Sequence, residues 1–180
     1  MKRAFVVAIL GAECTGKTTL AGEIGRALLT RGMRVVVVAE ALRDFCIEHK
    51  RTPRHEEQAA IAAEQTRRIE AAASSAEVVV ADTTALMIAV YSDYVFGDTR
   101  LYTRAEAVQR RFDLTLLTAL DLPWQADGLQ RDGAHVREPV DALVRAALAR
   151  AGTRFETIAG TGVTRLHASL DAINRGIAPA

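Results

Sequence analysis

The eight residues from Gly11 to Thr18 constrain this chain more than any other part of its sequence. They read Gly-Ala-Glu-Cys-Thr-Gly-Lys-Thr and match the pattern G-x-x-x-x-G-K-[ST]. An apolar run at 5–10 precedes them, and apolar residues at helical spacing follow them until Gly32. The sequence therefore predicts a strand, a phosphate-binding loop and a helix, because an incidental glycine turn would not need this context.

The residue types of the loop suit a nucleoside triphosphate. Gly11 and Gly16 allow the backbone N–H groups to turn inward on a polyphosphate, and the helix N-terminus adds partial positive charge. We expect Lys17 to reach the β- and γ-phosphates of ATP and the Thr18 hydroxyl to bind Mg²⁺. The nucleotide-binding candidates are Gly11, Glu13, Cys14, Thr15, Gly16, Lys17, Thr18 and Thr19. For Thr19 the simpler role is that of a first-turn helix residue.

Cys14 allows two interpretations. Its place beside a helix N-terminus could lower the thiol pKa and make it reactive or redox-sensing. Alternatively, it fills a variable position of the loop, and this interpretation is favoured because the sequence offers no resolving partner. Cys14 and Cys46 form neither a metal-binding spacing nor a disulfide framework, which suits a reducing cytoplasm.

Apolar runs alternate with helical patterns along the rest of the chain. After the first run, the further predicted strands are 35–38, 78–81, 114–117 and, more weakly, 155–158. This alternation predicts an α/β fold with a five-stranded parallel sheet between two layers of helices. With the loop after the first strand, the fold class is a kinase-like P-loop NTPase. A length of 180 residues indicates one domain over residues 1–180.

Local signals predict where several helices begin. Thr52 and Pro53 form a plausible start for one long helix that reaches Ala76. Thr103 and Glu106 form a capping-box pattern, which predicts a helix start at Thr103. Pro139 is expected to start the next helix, and the segment 163–173 to form the last one.

Charged side chains follow three of the predicted strands, at Glu40, Asp82 and Asp121, and should meet at one edge of the sheet. Asp82 is expected to organise Mg²⁺, with a helix N-cap as its alternative role. Glu40 is the candidate for orienting or deprotonating an acceptor hydroxyl. Arg43 could hold Glu40 or the substrate, or could be an exposed helix residue.

The segment 121–139 differs in composition and contains the only Trp, two Gly and two Arg. Its length and its arginines favour a mobile lid over a simple crossover. We expect Arg131 or Arg137 to neutralise charge on the transferring phosphoryl group, although either could be a surface residue. Trp124 could stack on a flat ring or anchor the lid.

Composition limits the partners. Lys and Arg number 23 and Asp and Glu 22, so the net charge of +1 gives no electrostatic case for nucleic acid binding. No apolar stretch approaches the length of a membrane span, and the expected location is the cytoplasm.

His49 and His55 have no metal-ligand spacing and are interpreted as surface residues. Tyr91, Tyr94 and Phe96 are interpreted as core residues.

Four features together resemble the ribosylnicotinamide kinase domain of NadR-type proteins. They are the loop through Leu20, the Glu40-x-x-Arg43 pair, Asp82-Thr83, and Pro123-Trp124 with Asp127-Gly128-Leu129. The resemblance covers about residues 5 to 158, and the Pro-Trp-x-x-Asp-Gly-Leu segment is its most discriminating part. The family usually has Ser at the place of Cys14 and Arg at the place of Gln130.

The resemblance implies ATP-dependent phosphorylation of the 5′-hydroxyl of nicotinamide riboside. It implies a small-molecule nucleoside acceptor, with Glu40, Arg43, Trp124 and Asp127 as substrate-binding candidates. The adenylyltransferase domain that often accompanies this kinase is not expected in residues 1–180.

Two other functions compete with a kinase. A non-catalytic module that binds ATP and signals to a partner would use the same loop. A GTPase is less well supported, because Thr118-Ala119-Leu120-Asp121 lacks the Lys of a guanine-reading motif and Asp82-Thr83-Thr84-Ala85 lacks the glycine of a switch motif.

Overall fold

A computed structural model of the protein describes residues 3–125 and 133–177. Within these residues the strands are β1 Phe5–Leu10, β2 Val35–Val38, β3 Val78–Asp82, β4 Leu114–Thr118 and β5 Glu156–Ile158. All four strand pairings are parallel, and the strand order is β2-β3-β1-β4-β5. The five-stranded parallel sheet predicted from the apolar runs is confirmed.

The sheet register brings the ends of the strands to one edge. Ile9 lies opposite Asp82, Leu10 opposite Leu117, and Val38 opposite Ala81. The residues that follow β1, β2, β3 and β4 therefore emerge together. This is the carboxyl edge, where open α/β sheets bind ligands.

Seven α-helices cover the two faces of the sheet in the described part of the chain. Their bounds are α1 Lys17–Thr30, α2 Ala41–His49, α3 Gln58–Ala73, α4 Ala85–Phe96, α5 Tyr102–Gln109, α6 Arg137–Ala151 and α7 Gly162–Ile177. One core cluster joins α1 and α7 to Val7 and Ile9 of β1, and the other clusters join the remaining helices to the opposite face. No helix of residues 3–125 or 133–177 combines the length and the apolarity that crossing a membrane requires.

The central strand explains why these strands are continuous apolar runs. Val7, Ile9 and Leu10 are fully buried, and they point to opposite faces that are both covered by helices. A strand covered on both faces has no solvent side on which a polar residue would be tolerated. The same condition holds for Val78, Val79 and Val80 of β3.

Two helix starts differ from the local signals. The helix expected from Thr52 and Pro53 begins at Gln58, after a 3₁₀ turn at His55–Glu57. The Glu57 carboxylate accepts hydrogen bonds from the Arg54 N–H at 2.7 Å and from Arg51 Nη2 and Nη1 at 2.6 and 2.7 Å. These bonds close residues 51–57 into a loop, so the prediction of a helix from residue 52 is wrong.

The predicted capping box at Thr103 is also wrong. Helix α5 begins one residue earlier, at Tyr102, and no side chain caps it. The Tyr102 ring is buried, and its hydroxyl donates to the Asp93 carboxylate at 3.0 Å, so tertiary packing fixes this helix start. Helix α6 begins at Arg137, which leaves Pro139 in the first turn, where its missing N–H costs nothing.

Candidate active site

The loop from Gly11 to Gly16 has the left-handed backbone turns that a phosphate-binding loop needs. The φ angles are 149° at Gly11, 52° at Cys14 and 76° at Gly16. A Cβ on Gly11 would lie 2.0 Å from Thr118 Oγ1, so no side chain fits there. Gly16 is the N-cap of α1 and no side chain caps this helix, which leaves its N-terminus open to an anion.

Two buried threonines hold the loop against the sheet. Thr118 Oγ1, at the end of β4, lies 2.7 Å from Thr15 Oγ1 and 3.1 Å from the carbonyl oxygen of Leu10. Thr15 Oγ1 donates to the carbonyl oxygen of Ala12 at 2.8 Å. Sequence reasoning missed Thr118 as part of the site, and its only local signal is a polar residue that ends an apolar strand.

Lys17 begins α1 and folds back over the loop. Its Nζ donates a hydrogen bond to the Ala12 carbonyl oxygen at 2.8 Å. Burial lowers the pKa of Lys17 from its usual value, while the carboxylates of Glu40, Asp82 and Glu13 act in the opposite direction. The loop therefore presents one partly desolvated ammonium group among three carboxylates, where phosphate oxygens can replace the carbonyl contact.

Glu40 ends the connection after β2, and its side chain is only 17% exposed. Burial raises the pKa of Glu40, and the nearby Lys17 charge opposes this shift. The Glu40 carboxylate does not cap α2 and lies 3.8 Å from Arg43 Nε, which supports the interpretation that Arg43 holds Glu40. Glu40 is therefore a partly buried carboxylate whose basicity exceeds that of an exposed glutamate.

Asp82 is the last residue of β3 and is 3% exposed. Within the described residues its Oδ1 has no hydrogen-bond partner. The N-cap of α4 is Thr84, whose Oγ1 accepts from the Leu86 N–H at 3.2 Å, so the alternative role of Asp82 as the cap is wrong. A buried carboxylate with one unpartnered oxygen at this edge fits a cation, and Thr18, exposed on the first turn of α1, carries a hydroxyl close to the loop in sequence.

The described residues contain no group of three or more His, Cys, Asp or Glu side chains that could hold a metal ion. A Mg²⁺ ion at Asp82 and Thr18 would therefore take its other ligands from phosphate oxygens and water. Kinase magnesium sites have this composition, because Mg²⁺ retains water and needs few protein ligands.

A cavity of about 420 Å³ opens beside the loop. Glu13, Cys14, Lys17, Glu40 and Arg43 supply charged and polar groups to it. The apolar part of its lining comes mainly from α4, with Met87, Tyr91, Val95 and Phe96. This combination of an apolar wall with a few convergent charges is typical of a small-molecule site.

The cavity changes the interpretation of two residues. Phe96 was expected in the core, but it is 40% exposed and lines the cavity together with the half-buried Tyr91. His55 was expected on the surface, and its side chain is indeed 41% exposed, but it also lines the cavity, with its Nε2 2.6 Å from Asp98 Oδ2. The His55–Asp98 contact joins the 3₁₀ turn before α3 to the loop after α4, so a long-range contact that local sequence does not reveal shapes this part of the site.

The segment predicted as a lid is described only at its two ends. Asp127 and Arg131 lie outside the described residues. Arg137 is 9% exposed at the start of α6, Trp124 is half-buried, and neither is among the described residues that line the cavity. Cys14 Sγ donates to the Gln125 carbonyl oxygen at 3.2 Å, which connects this segment to the phosphate-binding loop.

Arg165 is a further charged residue beside the loop. It lies on α7, is 4% exposed, and donates to the Ile158 carbonyl oxygen at 3.2 Å and to Asp121 Oδ1 at 3.4 Å. Asp121 also accepts from the Gly160 N–H at 2.5 Å, so this carboxylate joins the ends of β4 and β5. Sequence reasoning missed Arg165, because an arginine in the first turn of an amphipathic helix normally faces solvent.

Known structures share this architecture. A NadR protein in complex with NR matches with a TM-score of 0.80 at 19% identity, over 98% of this chain and 52% of that chain. A NadR protein in complex with NAD and AMP-PNP matches with a TM-score of 0.75 at 19% identity, over 98% and 51% of the two chains. Thymidylate kinase from Ehrlichia chaffeensis matches with a TM-score of 0.65 at 13% identity, over 97% and 99%. The chain thus spans about half the length of the NadR chains.

These likenesses confirm the predicted fold class and the NadR-type resemblance at the level of the fold, which is that of P-loop kinases. No curated protein matches the chain by sequence. A family model described as an AAA domain matches residues 6–165, which is most of the chain. The protein therefore belongs to this AAA domain family of P-loop proteins.

Proposed function

We propose that the protein is an ATP-dependent kinase that phosphorylates the 5′-hydroxyl of nicotinamide riboside or a related nucleoside. The observation that carries the proposal is the cavity of about 420 Å³ that has Lys17 and Glu40 on its lining, with Asp82 at the adjacent strand end. Phosphoryl transfer needs little more from a protein than positioned charges of this kind.

ATP is the proposed phosphoryl donor. Its β- and γ-phosphates would lie on the N–H groups of the loop and on the N-terminus of α1. Lys17 would exchange its contact with the Ala12 carbonyl oxygen for the phosphate oxygens. Asp82 and Thr18 would hold Mg²⁺, which when bound neutralises part of the phosphate charge.

The acceptor would occupy the cavity with its hydroxyl beside Glu40. The hydroxyl oxygen forms the new bond to the γ-phosphorus, the bond from that phosphorus to the β,γ-bridging oxygen breaks, and ADP leaves. Glu40 orients the hydroxyl and accepts its proton. Arg43, at 3.8 Å, keeps the Glu40 carboxylate in place.

The choice of a nucleoside rests on the shape and lining of the cavity. The volume suits a sugar with one ring attached, and the Tyr91 and Phe96 side chains offer aromatic surface to a flat base. The NadR structure in complex with NR, which shares the fold, supports nicotinamide riboside as the first acceptor to test. Trp124, Asp127, Arg131 and Arg137 remain predicted contributors from the segment 121–139.

A nucleoside panel tests this function. Purified protein is incubated with ATP and Mg²⁺ and with each nucleoside in turn, nicotinamide riboside included, and ADP release is measured. We expect acceptor-dependent ADP release, greatest with nicotinamide riboside. ADP release with another nucleoside alone would change the acceptor, and tight ATP binding without any acceptor effect would favour the non-catalytic alternative.

A further inference from the structure

Gln65 is a buried polar side chain that bonds to the backbone beside both of the proposed site carboxylates, Glu40 and Asp82. It lies on α3, about two turns after the start of that helix, and is 0% exposed. Its Oε1 accepts a hydrogen bond from the Ala41 N–H at 2.7 Å, and its Nε2 donates to the Thr83 carbonyl oxygen at 3.3 Å. A backbone N–H can only donate and a carbonyl can only accept, so these two partners fix the orientation of the amide.

The contact with Ala41 lies directly beside Glu40. Ala41 is the first residue of α2, so its N–H has no acceptor within that helix. Glu40 is the N-cap residue of α2, but its side chain makes no capping hydrogen bond. Gln65 supplies an acceptor to this helix start from another helix, and the Glu40 carboxylate lies instead beside Arg43 on the lining of the cavity.

The contact with Thr83 lies directly beside Asp82. Thr83 has a φ of 74°, a left-handed backbone conformation that a β-branched residue rarely adopts. Its N–H donates to the Ile9 carbonyl oxygen at 3.1 Å, and its own carbonyl oxygen accepts from Gln65. Strained backbone persists only where its surroundings fix it, so these two hydrogen bonds hold the turn that follows Asp82.

Helix α3 gives Gln65 a fixed position from which to hold both turns. Ile61 and Ala62, about one turn earlier on α3, belong to the same core cluster as Ala41. A side chain on a packed helix places its partners more accurately than a side chain on a loop does. Gln65 is not among the described residues that line the cavity, so it acts on the site through the backbone of its two partners.

We propose that Gln65 is a positioning residue of the phosphoryl-transfer site. By holding the backbone beside Glu40 and beside Asp82, it sets the separation of these two carboxylates. This inference rests on the proposed kinase function, in which Glu40 meets the acceptor hydroxyl and Asp82 is a ligand of Mg²⁺. The separation of the two carboxylates then sets how closely the hydroxyl approaches the γ-phosphorus, and a small displacement of either one slows the transfer.

The first test is Gln65→Met, which keeps the length of the side chain and removes both hydrogen bonds. We expect kcat with the best nucleoside acceptor to fall by about tenfold and KM for that acceptor to change by less than about twofold, because the lining of the cavity is unchanged. Titration calorimetry of ATP with and without Mg²⁺ gives a readout that does not depend on turnover. The factor by which Mg²⁺ strengthens ATP binding should fall by about fivefold.

Thr115→Val is the matched structural control. Thr115 is buried in β4, three residues before the end of that strand, and its hydroxyl accepts from Gln109 Nε2 at 2.9 Å. The substitution therefore breaks a buried hydrogen bond to another glutamine, away from the carboxyl edge. Both variants should lower the melting temperature by about 5 °C, but Thr115→Val should keep the wild-type kcat and the wild-type effect of Mg²⁺ on ATP binding.

Double mutants separate positioning from a general loss of structure. In the Glu40→Gln background at saturating Mg²⁺, Gln65→Met should lower kcat by no more than about twofold, because the group that Gln65 positions is already removed. In the Asp82→Asn background, Gln65→Met should leave the effect of Mg²⁺ on ATP binding unchanged. A merely structural role would produce the same further loss in every background.

The outcomes distinguish the two proposals. If wild type phosphorylates a nucleoside and Gln65→Met differs from wild type no more than Thr115→Val does, the positioning role is overturned and the kinase function stands. The same conclusion follows if the full loss of kcat persists in the Glu40→Gln background. If wild type phosphorylates no nucleoside, the proposed function is overturned and the role of Gln65 in the transfer falls with it.

Discussion

At the scale of single residues, Lys17 carries the interaction with the donor phosphates. Lys17→Met removes the only positively charged side chain of the loop and should lower kcat by about 100-fold or more. The fold should survive, because the single hydrogen bond lost is the one to the Ala12 carbonyl oxygen. Lys50→Met, at the exposed end of α2, is the matched control and should behave as wild type. Steady-state kinetics together with a thermal melt measure both effects, and near-normal kcat in Lys17→Met would contradict this role.

The pH dependence of activity tests Glu40. Transfer needs Glu40 ionised, so the rate rises as pH increases through its pKa, which burial raises above the ordinary 4.5. Transfer also needs Lys17 protonated, so the rate falls as pH increases through a pKa that burial lowers below 10.5. Both shifts narrow the pH range of activity in the free enzyme.

Glu40→Gln should abolish the acid limb of the profile of kcat/KM against pH. The remaining rate should be lower by about 100-fold, because the general base is lost while ATP binding is retained. Glu48→Gln, on the exposed part of α2, is the control. If the acid limb persisted unchanged in Glu40→Gln, a group other than Glu40 would be responsible for it.

Asp82→Asn tests the metal site. The substitution keeps the side-chain shape and removes the negative charge, so the Mg²⁺ concentration for half-maximal activity should rise by about tenfold or more. Asp171→Asn, which changes an exposed carboxylate on α7, should leave this concentration unchanged. A titration of activity with Mg²⁺ at fixed ATP gives the comparison, and identical curves for Asp82→Asn and wild type would exclude Asp82 as a ligand.

At the scale of structural elements, β4 supports the phosphate-binding loop through Thr118. Thr118→Val keeps the shape and removes the hydroxyl that bridges Thr15 and the Leu10 carbonyl oxygen. We expect a loss of about 1–3 kcal/mol in the free energy of unfolding and a higher KM for ATP. The control is Thr157→Val on the exposed side of β5. If Thr118→Val and Thr157→Val had equal stability and equal KM for ATP, the Thr118 hydroxyl would not support the phosphate-binding loop.

Sequence predicts best those elements in which nearly every residue has the same burial. Strands β1 and β3 are buried on both faces, and a continuous apolar run is the direct result of that burial. Helix starts were predicted less well where tertiary contacts override local signals. The Arg51–Glu57 pair delays α3, and the buried Tyr102 brings α5 forward by one residue.

The contrast between local sequence signals and tertiary contacts also applies to the candidate site. Gly11, Gly16 and Lys17 belong to one contiguous motif, and Glu40 and Asp82 follow strands, so topology brings them together. Thr118 and Arg165 join the site through contacts between residues far apart in the chain, and Gln58 joins it by lining the cavity. A single sequence carries no pattern for such contacts, and only the packed structure identifies those three residues.

At the scale of the whole molecule, the strand order places β1 in the middle and the phosphate-binding loop at the centre of the carboxyl edge. Glu40 and Asp82 emerge on one side of the loop, from β2 and β3. Thr118 ends β4 on the other side, and Asp121 follows it there. Glu40, on the β2–β3 side, lines the cavity beside α4. The fold thus separates the proposed acceptor side of the loop from the side that α7 closes with Arg165.

The central claim is that this arrangement transfers the γ-phosphoryl group of ATP to the 5′-hydroxyl of a nucleoside. Mass spectrometry of the products formed from ATP, Mg²⁺ and nicotinamide riboside tests it most directly. We expect ADP and a riboside heavier by one phosphoryl group in equal amounts with wild type, and neither product at a comparable rate with Lys17→Met. ADP and inorganic phosphate formed by wild type with no phosphorylated nucleoside would contradict the claim.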